Sequence, residues 1–442
     1  MSKNAHALQI ENDINRTKLP TSSIVPRGRA MTRAGIPAPF NIMTKPNGPR
    51  CNIDCKYCYY LEKEKFYPAE KKFRMTPPVL EKYVRSTIEA SVRAGMSEVT
   101  FAWQGGEPTI LGVPYFEQII ALQRRYRPEG VQISNAIQTN GTMLDDRWGG
   151  FLKDNRFLVG ISIDGPQKLH DRYRVDRAGR PTFRAVMRGL EILQKHGVEH
   201  NALTVVHRHT ATRGKEVYRF LRGIGIEYMQ FIPIVERTAD GTTLSGAPPM
   251  ETSQGLAVTA WSVSPRAFGK FLCDVFDIWF THDIGEVFVQ HFDTQLGLWM
   301  GLPSSLCVFA EDCGNGLAIE HNGDLYSCDH YVYPEYRLGN IMQTSMPELI
   351  WSERQIEFGR DKSASLTRQC RECQFRFACN GGCPKHRFLK SRHGEDGQSY
   401  FCESYTMFFR HAGPRLREMA LLVQMGRPAA EAQRQTHRAK AR

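Results

Sequence analysis

Between residues 40 and 235 the apolar positions switch repeatedly between strand-like and helix-like spacing. Phe40-Asn41-Ile42-Met43 reads as a short strand leading into a cysteine loop. Thr76 with Pro77 opens a helix in which Val79, Leu80, Tyr83, Val84 and Ile88 recur at helical intervals. Strands are predicted at 99–103, 131–139, 157–163, 199–206 and 228–234. Helices at about 115–126, 144–154, 182–196 and 212–224 lie between them, the last two stopped by Gly197 and Gly225. Six strands joined by helices make a parallel sheet with right-handed crossovers. Six units are too few for a closed eight-stranded barrel, so the pattern predicts an open, partial (β/α)6 barrel or a doubly wound sheet. Either way, the loops at the C-terminal ends of the strands form the active face. The cysteine loop and the turns at Gly105-Gly106, Asn140-Gly141 and Asp164-Gly165 all fall at such ends.

Residues 236–262 break the alternation with Gly and Pro and read as an inserted loop or lid. A helix at about 266–281 leads to a second region. There Leu317–Glu320 and Asp324–Tyr326 flank His321-Asn322-Gly323, the pattern of a β-hairpin. Pro414 is expected to open a final helix of about a dozen residues that ends before Gly426. The chain thus divides into an arm (1–38), the partial barrel (39–235), an inserted loop with linker helices (236–300), a cysteine-rich region (301–412) and a C-terminal helix with a basic tail (413–442).

Composition narrows the class. At 442 residues the chain exceeds one ordinary core, and 41% hydrophobic with 24% charged residues is globular. No apolar run is long enough for a membrane span, and the first thirty residues lack a signal-peptide core, which places the protein in the cytoplasm. The net charge of +12 is concentrated at the ends, and no nucleic-acid motif accompanies it. The ends therefore read as solvated, disordered basic segments, and neither nucleic acid nor membrane is expected as a partner.

The twelve cysteines change the picture most. In a reducing compartment they point to metal or redox chemistry rather than disulfides. Only Cys273, inside an apolar run, reads as a core thiol. Cys51, Cys55 and Cys58 can hold three corners of a cubane cluster and leave one iron open, the condition for catalysis rather than structure. A zinc knuckle would need a fourth ligand, and none lies nearby in sequence. Farther on stand Cys307, Cys313 and Cys328, then Cys370, Cys373, Cys379 and Cys383, then Cys402. Those eight suffice for two fully ligated cubanes, and a two-zinc module fits the count too.

The Cys51–Cys58 spacing, with Tyr57 before the last cysteine and Gly105-Gly106-Glu107-Pro108 after a strand, resembles the radical S-adenosylmethionine (SAM) superfamily. The downstream array resembles the SPASM auxiliary-cluster domain. The resemblance implies a partial (β/α)6 radical SAM barrel followed by a SPASM domain, with three [4Fe-4S] clusters and S-adenosylmethionine as cofactors. By it, Cys307, Cys313, Cys328 and Cys383 hold one auxiliary cluster, and Cys370, Cys373, Cys379 and Cys402 hold the other. Tyr57, Gly106, Ser162, Arg174 and Val235 match the family's cofactor-contacting positions. An arginine fork suits the cofactor carboxylate; the bland reading of Arg174 is a surface salt bridge, and that of Val235 is core packing.

Within the superfamily, Cys51–Glu64, Trp103–Pro108 and Gly323–Val332 are similar to anaerobic sulfatase-maturating enzymes. Such enzymes oxidise a Cys or Ser in a Cys/Ser-x-Pro-x-Arg segment of a sulfatase to formylglycine (3-oxoalanine). Asp329 matches the proton acceptor, and Tyr60 and Gln104 match substrate-pocket positions; His330 reads as a pocket wall. A sulfatase polypeptide and an electron donor such as flavodoxin or ferredoxin are the implied partners. Two alternatives stand beside this reading: a radical SPASM enzyme forming thioether or carbon crosslinks in another peptide, and a non-catalytic zinc or iron–sulfur protein.

Overall fold

The computed structural model describes residues 38–69, 72–238, 244 and 257–433. The expected arm up to residue 37, residues 239–243 and 245–256 of the expected 236–262 insertion, and the tail from 434 lie outside the described residues. Strand β1 (Asn41–Thr44) starts the barrel. There follow α1 (Pro77–Arg93), β2 (Glu98–Trp103), α2 (Val113–Tyr126), β3 (Gln132–Thr139), α3 (Asp146–Asp154), β4 (Leu158–Ser162), α4 (Phe183–Lys195), β5 (His200–Val206), α5 (Gly214–Gly223) and β6 (Tyr228–Pro233). Each lies within a few residues of its expected place. The periodicity works because one face packs on the helices: along β2, buried positions alternate with exposed or half-buried ones. Val99, Phe101 and Trp103 point into the core, and α1 buries Leu80, Tyr83, Val84 and Ile88 against them. Thr76 caps α1 in an extended conformation, with proline in the first turn.

The sheet is wider than six strands. Beyond β6, a short β7 (Arg237–Thr238) pairs antiparallel with β8 (Ala257–Val258) at the root of the insertion. Helix α6 (Pro265–His282) then leads to β9 (Phe288–Val289), which joins β6 in parallel, and to α7 (Gln290–Trp299). The expected hairpin forms as β10 (Gly316–Ile319) and β11 (Asp324–Tyr326), with Gly323 at φ +88° in the turn. It does not stand apart. Strand β10 pairs in parallel with β1, Asn41 opposite Gly316 and Thr44 opposite Ile319. With β12 (Arg337–Asn340) the order is β12-β11-β10-β1-β2-β3-β4-β5-β6-β9. The six predicted strands are therefore the middle of one ten-stranded open sheet.

A separate hairpin, β13 (Arg387–Lys390) and β14 (Asp396–Ser399), precedes the last helix. That helix, α8 (Cys402–Gln424), corrects the expected start at Pro414: it runs 23 residues with Pro414 inside it. Its apolar stripe of Tyr405, Phe408, Ala412, Leu416 and Met419 is buried without interruption on both sides of the proline. Phe408 meets Phe276 of α6 edge-on at 5.6 Å. Continuous packing outweighs the lost backbone bond at one proline. Cys273 of α6 is partly buried against the same core. No helix among the described residues is long and apolar enough to cross a membrane.

Candidate active site

The C-terminal ends of the parallel strands gather the expected residues on one face. The loop after β1 carries Cys51, Cys55 and Cys58, and the Cys58 amide donates to the Cys55 carbonyl at 2.9 Å. Asp54 and Lys56 bond through their amides to the carbonyls of Val175 and Tyr173, which fixes the loop against the segment after β4. Cys58 lies close enough to raise the pKa of both Cys51 and Cys55, and Cys51 raises that of Cys55. Burial first, then Glu107 and Cys58 nearby, pushes Cys51 up to about 12. A thiolate there needs a cation beside it, which is the chemistry of a metal ligand.

Gly106 follows β2, and its reason for being glycine is local. A Cβ on it would lie 1.8 Å from the Arg50 carbonyl oxygen. The chain entering Cys51 passes against that bare Cα. Glu107 beside it is buried and accepts from the Asn140 amide at 2.6 Å, Thr139 Oγ1 at 2.7 Å and Thr109 Oγ1 at 2.6 Å. It therefore staples the turns after β2 and β3 behind Cys51.

Tyr57 is buried and donates its hydroxyl to Asp164, which also takes the Arg174 Nε at 3.0 Å. Burial alone would raise the Asp164 carboxyl; Arg174, His170 and His207 hold it below the usual carboxylate range. Arg174 Nη1 stands 3.9 Å from Cys55 Sγ. Arg174 is 7% exposed, so the surface salt-bridge reading of it falls. Ser162 ends β4 in a buried position, and Val235, beyond β6, is buried in the main core.

Asp329 follows Cys328 just past β11. Its carboxylate pairs with Lys45 Nζ and accepts from Tyr59 Oη at 2.9 Å. Burial would raise its pKa; Lys45 and His330 hold it down, so it is ionised at neutral pH. Lys45, itself 1% exposed, also donates to Gln104 Oε1 at 2.6 Å and lies 4.5 Å from the Tyr60 ring centre. Gln104 donates its own amide to Gln138. The Tyr60 hydroxyl is committed to Glu320, buried at the end of β10. Lys385 pairs with Glu236 at 2.5 Å and covers the Tyr59 ring at 4.4 Å. His330 Nδ1 lies 3.6 Å from Cys383 Sγ, and burial with Lys385 beside it lowers its pKa to about 4, so the ring is neutral.

The remaining thiols fall into two sets. Cys313 and Cys328 each sense Cys383 and Cys307, whereas Cys379 senses Cys402, Cys370 and Cys373. Cys383 thus sits with the first three cysteines in space although it follows the second group in sequence. Buried Lys362 donates to the carbonyls of Cys307 at 2.6 Å and Val308 at 3.2 Å. Buried Arg387 ties the carbonyls of Lys362 at 2.6 Å and Gly381 at 3.0 Å, between the two sets. Two buried cations at this place offset the negative charge that thiolate-ligated iron brings. All twelve cysteines are free, so the thiols other than Cys273 suit iron–sulfur ligation by residue type.

Sequence reasoning missed Lys45, Tyr59, Asp164, Glu320, Lys362 and Arg387. For Lys45 a signal existed: it is the first residue after a strand on the active face. Asp164 and Glu320, which likewise follow strands, and Tyr59, next to Cys58, carry a similar mark; Lys362 and Arg387 carry none.

The class follows from this arrangement. Residues 48–221 match the Radical SAM superfamily, and residues 307–374 match SPASM, an iron–sulfur cluster-binding domain. The chain is a radical SAM enzyme with a SPASM region. It is 44% identical to a serine-type anaerobic sulfatase-maturating enzyme of Bacteroides thetaiotaomicron, over 87% of this chain and 92% of that protein. A cysteine-type enzyme of Clostridium perfringens is 33% identical over 86% and 98%. A solved structure, native anSMEcpe with bound AdoMet and Cp18Cys peptide, superposes with TM-score 0.76 at 32% identity, covering 87% of this chain and 99% of that one. The chain belongs to the anaerobic sulfatase-maturating enzymes.

Proposed function

We propose that the residues on this face carry out the family's reaction, the oxidation of a sulfatase Cys or Ser side chain to formylglycine. The observation that carries the reading is the Lys45–Asp329–Tyr59 constellation: an ionised carboxylate held between the radical-site loop and the SPASM region. Cys51, Cys55 and Cys58 would hold the radical-generating cluster, and Gly106, Ser162, Arg174 and Val235 the cofactor, with Tyr57 orienting Asp164 and Arg174 beneath. When bound, cluster and S-adenosylmethionine supply a 5′-deoxyadenosyl radical that removes a hydrogen atom from Cβ of the target residue. Asp329 then takes the proton from the substrate hydroxyl or thiol. Gln104 presents an amide to the same group, and Tyr60 walls the pocket. One electron would also leave the substrate for an iron–sulfur cluster held by the SPASM thiols, giving the aldehyde directly from Ser and a thioaldehyde, hydrolysed to the same product, from Cys.

Cys307, Cys313, Cys328 and Cys383 would ligate one auxiliary cluster, and Cys370, Cys373, Cys379 and Cys402 the second. About twelve irons per chain are then expected, at four irons per cubane. The grouping supports a division into barrel (39–235), linker (236–300) and SPASM region (301–412). The starting electron would come from a flavodoxin or ferredoxin.

The test is anaerobic incubation of the reconstituted enzyme with dithionite, S-adenosylmethionine and paired Cys-x-Pro-x-Arg and Ser-x-Pro-x-Arg peptides, read by mass spectrometry. Conversion of either to the aldehyde is expected, and the preferred peptide defines the substrate type. Deoxyadenosine without a change in peptide mass would overturn the reading. Asp329→Asn is expected to lower product yield by at least about 100-fold, the usual worth of a general base, while deoxyadenosine still forms.

A further inference from the structure

Beside the cysteine loop lies an open cleft of about 420 Å³ that shares Cys51 with the site described above. Cys51 lines it, together with Arg50, Lys72, Arg74 and Arg177. No Asp or Glu lines it, and none of Gly106, Ser162, Arg174 or Val235 does. The four cations are exposed, and among the described residues none of them forms an ion pair. Arg177 Nε bonds the Cys51 carbonyl at 3.1 Å, so the positive charge touches the loop backbone itself. What marks the cleft is the convergence of four such cations on one concavity with no carboxylate in its lining. A concave site with four unmatched cations focuses a positive field and attracts an anionic partner.

We propose that this cleft is the docking site for the electron donor, a small acidic protein carrying a one-electron group. The inference rests on the radical SAM reading, because only that reading demands an electron at Cys51–Cys58. The donor's carboxylates meet Arg50, Lys72 and Arg74, and its redox group faces Cys51. Cys51 is at once the wall of the cleft and a ligand position, so the electron enters without crossing the peptide site. The donor is oxidised by one electron, the site behind Cys51 is reduced by one, and no bond is made or broken in the transfer.

The experiment compares two electron sources on the full-length, iron-reconstituted enzyme: dithionite, and an acidic flavodoxin kept reduced by its reductase and NADPH. Deoxyadenosine formation is the readout. For the double variant Arg50→Glu/Lys72→Glu, the flavodoxin-driven rate is expected to fall about ten-fold or more at low salt. The dithionite-driven rate stays at the wild-type value. For the wild type, the flavodoxin-driven rate is expected to fall steeply between about 50 and 300 mM salt, as screening shortens the reach of the charges. The milder Arg50→Gln/Lys72→Gln pair lies between, and keeps the comparison open if the reversal disturbs folding. Equal flavodoxin-driven rates in the Gln pair and the wild type, or a flat salt response, would overturn the docking site. Absence of deoxyadenosine with dithionite in the wild type would instead overturn the function on which it rests.

Discussion

Lys45 holds two of the residues proposed for the reaction at once. Its ammonium bridges Gln104 and Asp329, so the amide and the carboxylate that would flank the substrate side chain share one anchor. Removing one partner of a buried pair costs about 3–5 kcal/mol, because the other is left uncompensated. Lys45→Met is therefore expected to lower formylglycine formation at least about ten-fold while deoxyadenosine continues to form. The ratio of the two products is the measurement; a wild-type ratio would reduce Lys45 to a structural role. Lys63 makes a different case. It is fully buried over the Tyr333 ring, and burial with Lys385 nearby lowers its pKa from 10.5 to about 7. Below pH 7 folded and unfolded chains both hold the proton, and the cost of the buried ammonium is present in full. As pH rises from about 7 towards 10 the folded chain is free of that charge while the unfolded chain still carries it, so the cost fades. Lys63→Met should raise the thermal midpoint at pH 6 and gain less at pH 9, as scanning calorimetry can show.

The elements that carry the site were the most readable part of the chain. Cys51, Cys55 and Cys58 lie within one loop, and strand ends at Trp103, Thr139 and Ser162 follow from short-range periodicity. Pro414 misled because a local rule about helix starts cannot see the buried stripe that carries α8 through it. The resemblance assigns Gly106 to the cofactor, and the structure adds a second tenant, the backbone of Arg50. Gly106→Ala would push that backbone away and with it the approach to Cys51. The expected outcome is loss of one cluster's worth of iron, about four of twelve per chain, with the auxiliary absorbance retained. Full iron content in that variant would show that the loop shifts freely.

At the scale of the whole molecule, the barrel is not self-sufficient. Nothing in β1 announces that β10 is its neighbour, because pairing between distant segments leaves no periodic trace, and Glu320 and Asp329 stayed illegible as neighbours of Tyr60 and Lys45 for the same reason. Without β10 the β1 edge is bare, and without α6 the apolar side chains it covers, such as Phe231 against Phe271 at 5.1 Å, meet water. A fragment ending at residue 235 is expected to be aggregated or to melt without a cooperative transition, whereas the full chain melts cooperatively. A soluble, cooperatively folded fragment would contradict this dependence.

The pairing of β1 with β10 also sets an order of events during synthesis. When the ribosome has made the first six strands, the cysteine loop exists but its neighbouring strand has not yet been translated. Asp329 meets Lys45 only once Thr44 and Ile319 are in register. A nascent chain therefore holds all three cysteines of the loop before it holds the carboxylate proposed as the base. A chain interrupted before β10 lacks that carboxylate altogether, however complete its first six strands are.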